Sequence, residues 1–129
     1  MKVLLTRDSV AMGDDTDAPH HHTADLPADL PLRAAVAAIT GGGYLARIAG
    51  GRATWVLATG GGTPIAVTAQ QWGEPRLLVP GEPALAACAA ATRAADGETL
   101  DGDVVRWHFR YLAQEDPDAV HDRLRAART

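Results

Sequence analysis

DVVRWHFRYL, Asp103 to Leu112, puts Val105, Trp107, Phe109 and Tyr111 on one side of an extended chain and Arg106, His108 and Arg110 on the other. A period of two with bulky apolar groups on one face is the pattern of a strand half buried against a core. The segment after it reads as a helix: Asp116 is placed to cap it, Pro117 opens it, Asp118 lies near its start, and Arg123, Arg125 and Arg128 lie near its end, as the helix dipole favours. Its narrow inner stripe is Val120, Leu124 and Ala127. Upstream, Pro83 to Ala95 is an alanine-dominated helix closed by Asp96 and Gly97.

Nearer the start, ATWVLAT and PIAVTAQQW are β-favouring runs separated by Gly60 to Thr63, the signature of a hairpin. RLLV, Arg76 to Val79, extends that meander after a turn at Gly73 and Pro75. KVLLT, Lys2 to Thr6, is a first buried strand, and HHHTADL, His20 to Leu26, is a weaker second one. Between these groups Asp29 is a candidate N-cap and Pro31 falls in the first turn. Leu32, Ala35, Val36 and Ile39 then recur at helical spacing until Gly41 to Gly43 end the pattern.

The elements define a single α+β domain over residues 1–129, with a mixed or antiparallel sheet of five to six strands and about three helices. Over residues 1–80 the order of elements resembles the ubiquitin-like β-grasp, in which a hairpin and later strands wrap one helix. That resemblance implies fold alone. Members that conjugate end in an exposed diglycine, whereas this chain ends in Ala126, Ala127, Arg128 and Thr129.

Composition narrows the function classes. A net charge of −4 argues against nucleic acid or an anionic membrane as the main partner. One cysteine, Cys88, permits no internal disulfide and no cysteine-based zinc site; in an alanine helix it reads as a small buried hydrophobe. Met1 to Val10 reaches Asp8 too soon for a signal peptide or a span, so a cytoplasmic protein is expected. Of the 16 acidic residues 12 are aspartate, and 11 of the 12 basic residues are arginine, a bias of GC-rich bacterial genomes that carries no function.

The densest set of polar groups is RDSVAMGDDTDAPHHH, Arg7 to His22. Carboxylate and imidazole are ligands that divalent ions accept, which makes Asp15, Asp17, His20 and His22 the metal candidates, with Asp14 beside them. Spacing weakens that reading. A calcium loop starting at Asp15 needs glycine at its sixth position and glutamate at its twelfth, and the chain has His20 and Leu26 there. If HHHT is extended, His20 and His22 share one side and His21 faces the other. Aspartates beside Gly13 and Pro19 also serve as turn chemistry, bonding nearby amides, and an ordered polar loop offering a contact surface is the preferred reading.

Other chemistry is largely closed. The single lysine is Lys2, so neither glycine run is a P-loop, and the only serine, Ser9, has no nucleophile elbow around it. A carboxylate pair could be drawn from Asp8, Asp14, Asp15 and Asp17, without any sign of burial. Arg106, His108 and Arg110 form a cationic stripe able to hold a phosphate or carboxylate. Trp72 is a contact anchor or, in preference, core. The expectation is a non-enzymatic binding or accessory protein without a cofactor, engaging a protein partner through Asp14, Asp15, Asp17, Trp72, Arg106, His108 or Arg110. A metal-binding protein or metal-dependent enzyme on the Asp/His loop is the alternative, and a binder of small anions the third class.

Overall fold

A computed structural model describes residues 1–10, 20–46, 50–96 and 104–127; the side chains of 94–96 are outside that description. Its elements are β1 (Lys2–Arg7), β2 (His22–Asp25), α1 (Leu32–Gly41), β3 (Thr54–Thr59), β4 (Pro64–Ala69), β5 (Arg76–Leu77), α2 (Leu85–Asp96), β6 (Val104–Tyr111) and α3 (Pro117–Ala127). These six strands form one sheet in the order β2-β1-β6-β3-β4-β5. Of the neighbouring pairs, β1 and β6 run parallel and the other four are antiparallel, so the sheet is mixed and the class is α+β.

The alternation in β6 is realised as read: Val105, Trp107 and Phe109 are buried while Arg106 and Arg110 are exposed. Its position in the sheet is central. Leu5 pairs with Trp107 on one side and Leu57 pairs with Phe109 on the other. Residues 1–80 therefore do not form a continuous sheet by themselves, because β1 and β3 meet only through a strand from beyond that window. The structure shows the α+β class and the mixed sheet and does not confirm the β-grasp-like order.

One sheet face carries the main core. Leu32, Ala35, Val36 and Ile39 of α1, with Leu85, Cys88 and Ala89 of α2, pack on Val3, Leu5, Trp55, Leu57, Ile65, Val105, Trp107 and Phe109. Each large side chain taken wholly out of water contributes about 1.5–3 kcal/mol, so Trp55, Trp107 and Phe109 supply much of the bulk that the alanines lack. Trp107 Nε1 is buried without a hydrogen-bond partner among the described residues, which offsets part of that gain.

On the opposite face α3 makes a second, smaller core. Val120 meets Val56, Val67 and Leu78, with Trp72, Leu112 and Leu124 at the margin. This explains why β3 and β4 are buried along nearly their whole length while β1 and β6 alternate. Ala127, read as part of the inner stripe, is exposed, since the helix grips through Val120 and Leu124 and has left the sheet by its last turn.

The helix starts hold one correction. Asp29 does not cap α1: Pro31 occupies the N-cap with φ −55° and ψ 138°, and no side chain among the described residues bonds the first turn. The free amide of Leu32 instead donates to the Pro83 carbonyl at 2.8 Å, and Leu85 N–H donates to Leu30 O at 2.8 Å. Those bonds form a small bridge, Pro31 with Ala84, that ties the two helix starts together and delays α2 to Leu85. At α3 the reading holds, for Asp116 Oδ1 accepts from Asp118 N–H at 3.2 Å. In the β3–β4 hairpin Gly62 takes φ 95°, which glycine adopts without strain, and its N–H bonds Thr59 O at 2.9 Å.

Candidate functional site

The strand alternation that buries Val3 and Leu5 turns Lys2, Leu4 and Thr6 to the other face. The parallel register sets Leu4 beside Arg106 and Thr6 beside His108. From β2, Thr23 lies opposite Leu4, and Asp25 lies opposite Lys2. Helix α3 covers this face over β3, β4 and β5. Over β1 and β6, Arg106 and Arg110 stay exposed, and Leu4, Thr6 and His108 are half buried. A cleft of about 400 Å³ sits there, lined by Leu4, Thr6, His21, Thr23, Arg106 and His108.

At its end three side chains form a chain of hydrogen bonds. Thr6 Oγ1 lies 2.7 Å from His108 Nδ1, and His108 Nε2 lies 2.8 Å from Asp8 Oδ1. The second Asp8 oxygen accepts the Tyr111 amide at 2.9 Å. Asp8 thus fastens the end of β1 to the end of β6. His108 and Asp8 keep 33% and 44% of their side-chain surface in contact with solvent, so the pair is screened and is worth at most about 1 kcal/mol to stability.

A hydroxyl, an imidazole and a carboxylate in series is also how hydrolases activate a nucleophile. Here the hydroxyl stands in mid-strand. At Thr6 strand β1 is laddered to β6 alone, since its pairing with β2 ends at Leu5.

The positive groups on this face are unequally engaged. Arg110 donates to Gly62 O at 3.0 Å. Among the described residues neither Arg106 nor Lys2 has an ion pair. These cationic groups lie on a chain whose net charge is −4.

The other expected site residues fall elsewhere. Asp14, Asp15 and Asp17 lie outside the described residues. His20 and His22 do not share the face of a strand: His20 has φ 62°, so the extended conformation begins only at His22. His20 Nε2 is 3.1 Å from Ser9 Oγ, whereas the His22 ring stacks on Tyr44 at 5.4 Å. Among the described residues no group of three or more His, Cys, Asp or Glu side chains converges as a metal ion requires. Trp72 is half buried at the second core, with the Arg76 guanidinium 4.1 Å above its ring, and Arg76 in turn pairs with Asp118 of α3. It follows β4 in the chain, and β3 and β6 lie between β4 and the β1 side of the cleft, so Trp72 is no part of that surface.

Sequence reasoning did not single out Thr6, Arg7 or Tyr44. Arg7, 8% exposed, donates from Nε to Tyr44 O at 3.1 Å and lies over that ring. The Tyr44 hydroxyl donates to His20 O at 2.6 Å, and burial pushes its pKa up to about 12 against the opposing pull of Arg7. The only signal in the sequence was Arg7 standing two residues after Leu5 on the buried side of β1.

No family model, curated protein or solved structure matches the chain. Among the described residues no helix is long and apolar enough to cross a membrane.

Proposed function

We propose that the protein is a non-enzymatic binding module that engages an acidic segment of a protein partner across the open β1–β6 face. The observation that carries this reading is the exposure of Arg106 and Arg110 on a sheet face whose other half α3 covers. Charge complementarity selects the partner: Arg106, Arg110 and His108 face outward from a protein that is otherwise net negative. Guanidinium forks suit carboxylates, and Leu4 with the stems of the arginines gives the segment apolar surface to lie on.

The test is fluorescence-anisotropy titration with a labelled Asp/Glu-rich peptide, comparing the wild type with Arg106→Glu/Arg110→Glu. The expected result is a loss of at least about tenfold in affinity, with binding that also falls as salt is raised. Equal binding by both proteins sinks the reading. A second reading, a binder of small anions, is favoured by the cleft of about 400 Å³, and sulfate that raises the melting temperature of the wild type but not of the double variant supports it.

A further inference from the structure

We infer that Thr6 and His108 make anion capture on this face proton-coupled: the Thr6 hydroxyl turns from hydrogen-bond acceptor to donor, as seen by a ligand in the cleft, when His108 takes up a proton. This rests on the open-face reading, and names how the carboxylate of the acidic segment is held.

The hydrogens can be assigned one by one. Both ring nitrogens of His108 have a partner, Thr6 Oγ1 at 2.7 Å and Asp8 Oδ1 at 2.8 Å. An ionised carboxylate only accepts, so in the neutral ring the single N–H sits on Nε2 and points at Asp8. Nδ1 is then an acceptor, and the Thr6 O–H must donate to it. The hydroxyl shows the cleft only lone pairs, which repel an anion. Protonation of the ring places a second N–H on Nδ1. That N–H donates to Thr6 Oγ1, and the hydroxyl hydrogen swings away from the ring toward the cleft, where it becomes a donor for an oxyanion.

The same proton adds a positive charge two residues from Arg106 and two from Arg110 on one strand face. The surroundings of the ring favour this sequence. On β1 it meets Thr6 and the carboxylate of Asp8, with Lys2 further along the face; on β3 its register partner is uncharged Ala58; from the β2 side His21, His22 and Thr23 line the cleft. Asp8 balances the imidazolium, and no other carboxylate among these groups competes with a ligand at Thr6. Linkage makes the coupling reciprocal: an anion at Thr6 and Arg106 raises proton affinity at His108 by the same factor that the proton raises anion affinity.

The experiment is the affinity of the labelled Asp/Glu-rich peptide between about pH 5.5 and 8 at constant ionic strength, for the wild type, Thr6→Val, Thr6→Ser and His108→Gln. Calorimetry in two buffers of different ionisation enthalpy counts protons taken up. Wild type and Thr6→Ser are expected to bind about tenfold more tightly at the acid end, with proton uptake. Thr6→Val is expected to lose most of that gain, and His108→Gln to lose it. A pH dependence in Thr6→Val equal to that of wild type overturns the relay and leaves the open-face reading standing. Failure of the wild type to bind the peptide at any pH overturns both.

Discussion

Asp8 reaches across the parallel strand pair to the last residue of β6, its Oδ2 accepting the Tyr111 amide at 2.9 Å while its Oδ1 holds His108 at 2.8 Å. One carboxylate therefore closes the ladder at the point where β1 ends and orients the imidazole that faces the cleft.

The two duties of Asp8 separate by mutation. His108→Ala removes its surface pair with Asp8 and its hydrogen bond with Thr6, and is expected to cost about 1 kcal/mol. Asp8→Ala also strips the Tyr111 N–H of its acceptor, and is expected to cost about 1 kcal/mol more. Urea unfolding of the two variants checks this, and equal losses count against the second duty.

Phe109 is fully buried at the centre of the sheet, between Leu57 on β3 and Arg7 on β1 in register. Phe109→Ala is expected to destabilise the protein by about 3–5 kcal/mol through lost burial and the cavity left behind. A loss under about 1 kcal/mol by chemical denaturation contradicts the central position of β6.

Helix α3 is held over its sheet face by few side chains, so its start matters. Asp116→Ala removes the acceptor of the Asp118 amide and is expected to cost about 1 kcal/mol. Faster amide exchange confined to α3 and to β4 beneath it is the accompanying sign, and unchanged exchange there counts against capping.

Tyr44 gives a stability signature in alkali. Its pKa is raised from 10.0 to about 12, so above pH 10 the unfolded chain loses this proton first, and the folded state binds more protons than the unfolded one. Stability contributed by the group is full below pH 10 and falls as pH rises toward about 12. Tyr44→Phe is expected to flatten that part of the profile of urea midpoint against pH, and an unaltered slope rules the attribution out.

Much of the architecture was legible because it rests on local rules. Alternation in Val105 to Tyr111, glycines between two β-branched runs, and Asp116 before Pro117 each act through neighbours in the chain. Reading failed where a distant segment supplied the partner. Asp29 is a good capping residue, yet the amide it was expected to serve found the Pro83 carbonyl, 51 positions from Leu32. The histidine run looked extended, but the Tyr44 hydroxyl and Ser9 hold His20 with φ 62°, and the strand starts two residues later.

The candidate site divides the same way. From the sequence alone, Arg106, His108 and Arg110 had to share one face of a strand, since side chains alternate on any extended chain. Which strand would lie beside them was open: alternation settles a face but tolerates any shift of two residues, and it is silent on parallel against antiparallel pairing. The tertiary structure decided that. Packing of α1 and α2 on Val3, Leu5, Trp107 and Phe109 brought β1 parallel to β6, and with that register Thr6 met His108 across 102 residues of chain.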